Sequence, residues 1–230
     1  TPALWWLAAA TMVVGNVVAL QQQNLKRLLA YSSIVHSGYL LVAVLANSSL
    51  GSSAFVFYVL AYTLATFGAF AVISTLQTGG DRPPMMADYA GLWHVRPWLA
   101  VGMAVFLLAL LGFPVFGGIG FFAKWYLLRA AVDSSNNLQS LAVLLVITSV
   151  ISAGYYLQVV RVMFMQPRAA DASTPPASAP MTRAVLAAMA AVILFFGLYP
   201  TPLATWSAKA AMPQVTSQSA LTETNQLGVR

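Results

Sequence analysis

Two side chains able to exchange a proton lie inside apolar runs of this sequence. Lys124 sits in "GFFAKWYLLRAA", among Phe121, Phe122, Trp125, Tyr126, Leu127 and Leu128. It lies about eight residues, or roughly 12 Å of helix, before the next polar connector. A charge inside a membrane is costly, and a buried amine can gain and lose a proton near neutral pH. The alternative is an anchor whose long stem lets its head reach the interface. His36 sits in "LLAYSSIVHSGYLLVAVLA", ten residues after Lys26. That is about 15 Å, the middle of a bilayer core. Ser32, Ser33 and Tyr39 stand at −4, −3 and +3 from it, on the same helical face. A histidine flanked by hydroxyls can pass a proton through water. It can equally serve as a hydrogen-bonding contact between helices.

Further polar groups recur at helical spacing: Tyr58, Tyr62 and Thr66; Tyr155, Gln158 and Arg161; Thr11 and Asn16. Most of these fit helix-packing hydrogen bonds, and some would border water. Tyr62 and Tyr155, with Ser32, Ser33 and Tyr39, are expected to support the two proton-exchanging groups. Metal and nucleotide chemistry find no support. His36 and His94 are far apart, the four Asp lie in connectors and Glu223 lies in the tail. No glycine-rich phosphate loop opens a helix after a strand. There is no cysteine, which excludes disulfides and cysteine-ligated clusters.

These groups must be positioned by membrane helices. The 230 residues are 60% hydrophobic and only 7% charged, against roughly 25% charged in soluble domains. The net charge of +6 comes from basic residues set singly between apolar runs, which marks topology rather than a nucleic-acid surface. Six segments are each near the roughly 20 residues that cross a bilayer: 3–20, 28–46, 53–76, 98–132, 140–165 and 184–199. The expectation is an all-α polytopic transmembrane bundle over 1–206 with a polar tail over 207–230. The chain opens inside an apolar run without a methionine, which reads as the C-terminal part of a longer protein. The fourth segment, 35 residues, would be about 52 Å long as one straight helix. Pro114, helped by Gly112, Gly117 and Gly118, is expected to break it. Unwound backbone at that depth needs protein or water to satisfy its polar groups.

The stretches "GNVVALQQQNLKRLLAYSSIVHSGYLLVAVLA", "LAYTLATFGAFAVI", "YAGLWHVRPWLA", "GFFAKWYLLRAAV" and "GYYLQVVRVMF" resemble the N-type membrane subunits of bacterial NADH:quinone oxidoreductase (respiratory complex I), within the antiporter-like proton-translocating family. The resemblance implies helices nine to fourteen of a fourteen-helix subunit built from inverted repeats, this chain carrying the second half. The break at Pro114 would fall in the twelfth helix. Lys124 would be the key protonatable residue there, and His36 would lie on the central hydrophilic axis. It also implies a bacterial inner-membrane location and other membrane subunits of the complex as partners. No cofactor is expected in this chain; NADH, FMN, iron–sulfur clusters and quinone would belong to partner subunits. One departure is visible: the stretch from Pro114 to Lys124 is longer than is usual in the family. Related readings are a subunit of a multisubunit cation/proton antiporter or membrane-bound hydrogenase, and a structural membrane subunit that carries no protons.

Lysine and arginine give an orientation. Lys26, Arg27, Arg82, Arg96, Arg161, Arg168 and Arg183 fall on one side, and Arg129, Lys209 and Arg230 on the other. The seven-to-three excess makes the first side cytoplasmic. A single cysteine introduced as Ser173→Cys should therefore resist an impermeant thiol reagent in intact cells and react after permeabilisation. Efficient labelling in intact cells would reverse the orientation.

Overall fold

A computed structural model describes residues 2–77, 84–114, 118–168 and 179–211. Helix α1 (Pro2–Leu20), α2 (Leu25–Ala46) and α3 (Ser49–Leu76) follow one another closely. The Asn24 side chain caps α2 by accepting from the Arg27 N–H at 3.2 Å. That draws the helix start three residues ahead of the expected 28, so Lys26 and Arg27 lie in its first turn. Asn47 then takes a left-handed conformation (φ 46°), and Ser48 caps α3 through the Gly51 N–H. Much of the polar stretch expected as a connector is therefore helical, and α2 and α3 form a tight antiparallel hairpin.

The chain continues through a 3₁₀ turn (Met86–Tyr89) and the short helix α4 (Leu92–Val95). The fourth segment is then divided, as expected, into α5 (Pro97–Leu111) and α6 (Gly118–Val132). Each half, 15 residues long, spans about 22 Å and cannot cross a core of about 30 Å alone. Gly112 ends α5 with φ 78°, a left-handed cap in which its N–H and that of Phe113 both reach the Leu108 carbonyl. Pro114 lies in the turn that follows; Gly117 falls outside the described residues, and Gly118 opens α6. Helices α7 (Gln139–Met165) and α8 (Pro180–Leu198) complete the set. Among the described residues, five helices are long and apolar enough to cross a membrane, one fewer than the six segments expected, because the fourth segment is divided into two short halves. The chain is an all-α, multi-pass membrane bundle.

One expectation is corrected. Residues 207–230 read as a polar tail, yet Thr201–Ala211 form helix α9, with Ser207 buried and Leu203 and Ala204 packed on the core. Average polarity hides that these residues share one face, which rests on α3. The 206/207 boundary falls inside this helix, and residues 212–230 lie outside the described set.

Loops fix the two ends of the bundle. At one end, Leu25 N–H bonds the Pro84 carbonyl (3.0 Å), Met86 N–H bonds Gln23 (2.7 Å) and Lys26 Nζ bonds Gln77 Oε1 (2.7 Å). At the other, Asn136 Nδ2 donates to the Leu45 carbonyl (2.9 Å) and Ser134 Oγ to Ala46 (3.2 Å). Between them, backbones meet at glycine. A Cβ on Gly120 would overlap the Ala109 carbonyl, and one on Gly118 would stand 2.5 Å from Gly197 Cα on α8. Gly120→Ala should thus force α5 and α6 apart, at a cost of about 3 kcal/mol, lowering the subunit content of membranes. Gly102→Ala, whose Cβ would meet only Phe106 at 3.9 Å, should be tolerated in the same immunoblot.

Candidate functional site

Lys124 lies on the second turn of α6 and is 9% exposed. Its position follows from the break. A helix end leaves carbonyls without intrahelical partners, and the Leu111 carbonyl at the end of α5 accepts a hydrogen bond from Lys124 Nζ at 2.7 Å. Nζ also donates to Ser149 Oγ on α7 at 2.7 Å. The Tyr39 ring centroid lies 5.3 Å from Nζ, within cation–π range. The amine is thus held inward by three different helices. Farther along α6, Arg129 and Asp133 form a solvent-exposed ion pair at 3.4 Å.

His36 is 4% exposed and stands between two tyrosine hydroxyls. Nδ1 is 2.6 Å from Tyr58 on α3, and Nε2 is 3.2 Å from Tyr156 on α7. One ring nitrogen donates and the other accepts in neutral imidazole, so a change of tautomer reverses the direction of both bonds. The Tyr62 ring lies 4.8 Å from the imidazole, and the Tyr39 ring meets it edge-on at 5.6 Å.

The two groups share a cavity. It is about 10 Å³ in volume and is lined by His36, Tyr58, Tyr62 and Lys124, with Gly120 and Ala123 on the α6 side. That is about the room one water needs. A larger depression, about 570 Å³, lies beside Trp5, Trp6 and Asn136 and contains no titratable side chain.

The remaining expected residues divide. Ser33 and Tyr62 are joined, the tyrosine donating to Ser33 Oγ at 2.8 Å. Ser32 donates to its own helix at the Leu29 carbonyl, 2.9 Å away. Tyr39 donates to Thr148 Oγ1 at 3.3 Å. Tyr155 is fully buried, but the adjacent Tyr156 makes the bond to His36. Sequence reasoning missed Tyr156, Ser149 and the Leu111 carbonyl. The polar run Thr148, Ser149 and Ser152 on α7 was the available signal for Ser149. No group of three or more His, Cys, Asp or Glu residues is placed to hold a metal among the described residues.

A multi-pass bundle with a broken helix and an ionisable interior is the architecture of a membrane ion-handling protein. Residues 1–152 match the family described as NADH:quinone oxidoreductase/Mrp antiporter, TM, and the chain belongs to that family. A NADH-quinone oxidoreductase subunit N from Gemmatimonas aurantiaca is 57% identical over 200 residues, covering 87% of this chain and 38% of that protein. One from Solibacter usitatus is 41% identical over 212 residues, covering 91% and 42%. The chain therefore spans about two fifths of the length of these relatives. Among solved structures, a chain of respiratory complex I from Thermus thermophilus superposes with TM-score 0.70 at 36% identity, covering 89% of this chain and 45% of that one. A chain of an archaeal membrane-bound sulfane sulfur reductase gives TM-score 0.77 at 28% identity, covering 91% and 41%.

Gly112 is where fold and site depend on one backbone angle. Its left-handed φ disfavours any Cβ, and an added Cβ would lie 3.1 Å from Lys124 Cδ. Gly112→Ala should cost about 1–2 kcal/mol and crowd the lysine stem. Lower thermal stability of the purified membrane assembly is the expected readout.

Proposed function

We propose that this chain carries protons within a membrane subunit of a bacterial NADH:quinone oxidoreductase, coupling electron transfer in partner subunits to proton movement across the inner membrane. The observation that carries this reading is the small cavity lined by both Lys124 and His36. A water there would adjoin both groups, so a proton could pass between them without either side chain leaving its partners.

The roles follow from donor counts. A protonated lysine has three donors; two go to the Leu111 carbonyl and Ser149. The third position is left for the cavity. When Lys124 is neutral, its lone pair can accept from the Ser149 hydroxyl, so the site accommodates both protonation states. His36 relays by exchanging tautomers between Tyr58 and Tyr156. Ser33 and Tyr62 hold the cavity wall. Redox chemistry, with NADH, FMN, iron–sulfur clusters and quinone, is assigned to partner subunits. The names of the subunit N relatives support this reading.

Lys124→Ala should leave the complex assembled and lower coupled turnover and proton pumping by about a hundredfold, the lower end of what a positioned proton-transfer group contributes. Lys124→Arg should also impair it, because arginine keeps its charge but does not release its proton. Complex content measured alongside separates loss of pumping from loss of assembly. A fully assembled Lys124→Ala complex that pumps at the normal rate would overturn the reading.

A further inference from the structure

We propose that Ser32 is a positioning residue that fixes the resting tautomer of His36, holding the ring hydrogen on Nε2 and keeping Nδ1 open to the Tyr58 hydroxyl. The lengths of the two imidazole bonds and the places of the hydroxyl hydrogens around them agree on this tautomer.

The lengths differ as donor type predicts. Bonds given by O–H to oxygen run about 2.5–3.0 Å, and those given by N–H about 2.7–3.2 Å. The Tyr58 contact at Nδ1 is 2.6 Å, and the Tyr156 contact at Nε2 is 3.2 Å. The first fits a phenol giving its hydrogen to the ring. The second fits the ring giving its hydrogen to a phenol. The opposite tautomer would make the N–H bond too short and the O–H bond too long.

The hydroxyl hydrogens follow one pattern. Ser33 gives its hydrogen to the Leu29 carbonyl at 2.9 Å and so accepts from Tyr62. Thr148 gives its own to the Leu144 carbonyl at 2.7 Å and accepts from Tyr39. Ser32, 2% exposed, likewise spends its hydrogen on the Leu29 carbonyl at 2.9 Å. Ser32 and Tyr155 are the other hydrogen-bonding neighbours of the Tyr156 hydroxyl. A serine whose one hydrogen is used offers Tyr156 a lone pair alone. Tyr155 has its own taker in Ser152, whose hydrogen goes to the Ser149 carbonyl at 2.6 Å. The Tyr156 hydrogen is therefore drawn to Ser32, and its oxygen is left to accept from Nε2. Tyr58 differs, because its hydroxyl bonds Nδ1 itself.

Tyr58 also lines the cavity shared with Lys124. A proton carried by a water there can pass to the Tyr58 oxygen while the Tyr58 hydrogen passes to Nδ1. One O–H bond forms, one breaks, and the positive charge arrives on the imidazole. Ser32 thus gives the relay a defined entry nitrogen. That consequence rests on the proton-carrier reading above; the tautomer does not.

The test uses the intact membrane complex with its histidines nitrogen-15 labelled at Nδ1. Solid-state NMR separates a protonated from a bare ring nitrogen, and the His36 signal is the one lost in His36→Asn. A bare Nδ1 is expected; a protonated one overturns the proposal with no change to the surrounding shell. Ser32→Ala removes the lone pair that holds the Tyr156 hydrogen. A protonated Nδ1 signal should then appear, and pumping should fall several-fold. Ser32→Thr should restore the wild-type spectrum and rate. Ser32→Cys, close to serine in size but with a weakly accepting sulfur, should match Ser32→Ala and serves if the alanine variant does not assemble. A wild-type spectrum in either assembled variant overturns the role of Ser32. Lys124→Ala in the same membranes separates the two ideas. If it pumps normally while Nδ1 is bare and responds to Ser32, the proton-carrier reading falls and the tautomer assignment stands.

Discussion

The hydrogen bond from Lys124 to the Leu111 carbonyl is the contact on which the rest of the interior depends. A continuous helix from Pro97 to Val132 would spend that carbonyl on its own backbone. Breaking the helix frees it, and an ammonium is among the strongest partners a buried carbonyl can find. The break and the lysine thus solve each other's problem: unwound backbone needs a donor, and a buried amine needs acceptors. The close α5–α6 approach at Gly120 and Ala109 follows, because the two half-helices must sit near enough for the amine on one to reach the end of the other.

Around that bond, polar groups are arranged by helix rather than by loop. Helix α2 contributes His36, Ser33 and Tyr39; α3 contributes Tyr58 and Tyr62; α7 contributes Ser149, Thr148 and Tyr156. Loops serve the ends, where Asn136 and Ser134 hold the α2 terminus and the Gln23–Met86 contact holds its start. This division fits a membrane setting, in which regular backbone satisfies itself and leaves side chains free for chemistry.

Much of this was legible in the sequence. Apolar length located the crossings, because hydrocarbon thickness sets a length that composition must match. Pro114 and its glycines located the break, because both residue types have backbone effects independent of context. Side-chain partners were not legible to the same degree. Spacing pointed to Tyr155, whereas Tyr156 meets His36; neighbouring residues on a helix differ by about 100° in direction, and only the packing of the helices decides which of these two buried tyrosines reaches the imidazole. The Leu111 carbonyl has no side-chain signature at all. Helix α9 was missed because Leu203 and Ser207 are separated by residues that face away from α3.

The α2–α3 hairpin has a further consequence, one of register. Its turn is so short that residues equidistant from it come level. His36 meets Tyr58, eleven positions either side of Asn47, and Ser33 meets Tyr62 one rung farther out. The pairs behave as rungs of a single ladder whose spacing is set at the turn. A substitution on one rung is a local event. Adding or removing one residue near Asn47 turns a whole helix by about 100° and shifts it about 1.5 Å, so that every rung is lost together. Chain length in this hairpin is therefore as much a part of the site as the identity of any side chain in it.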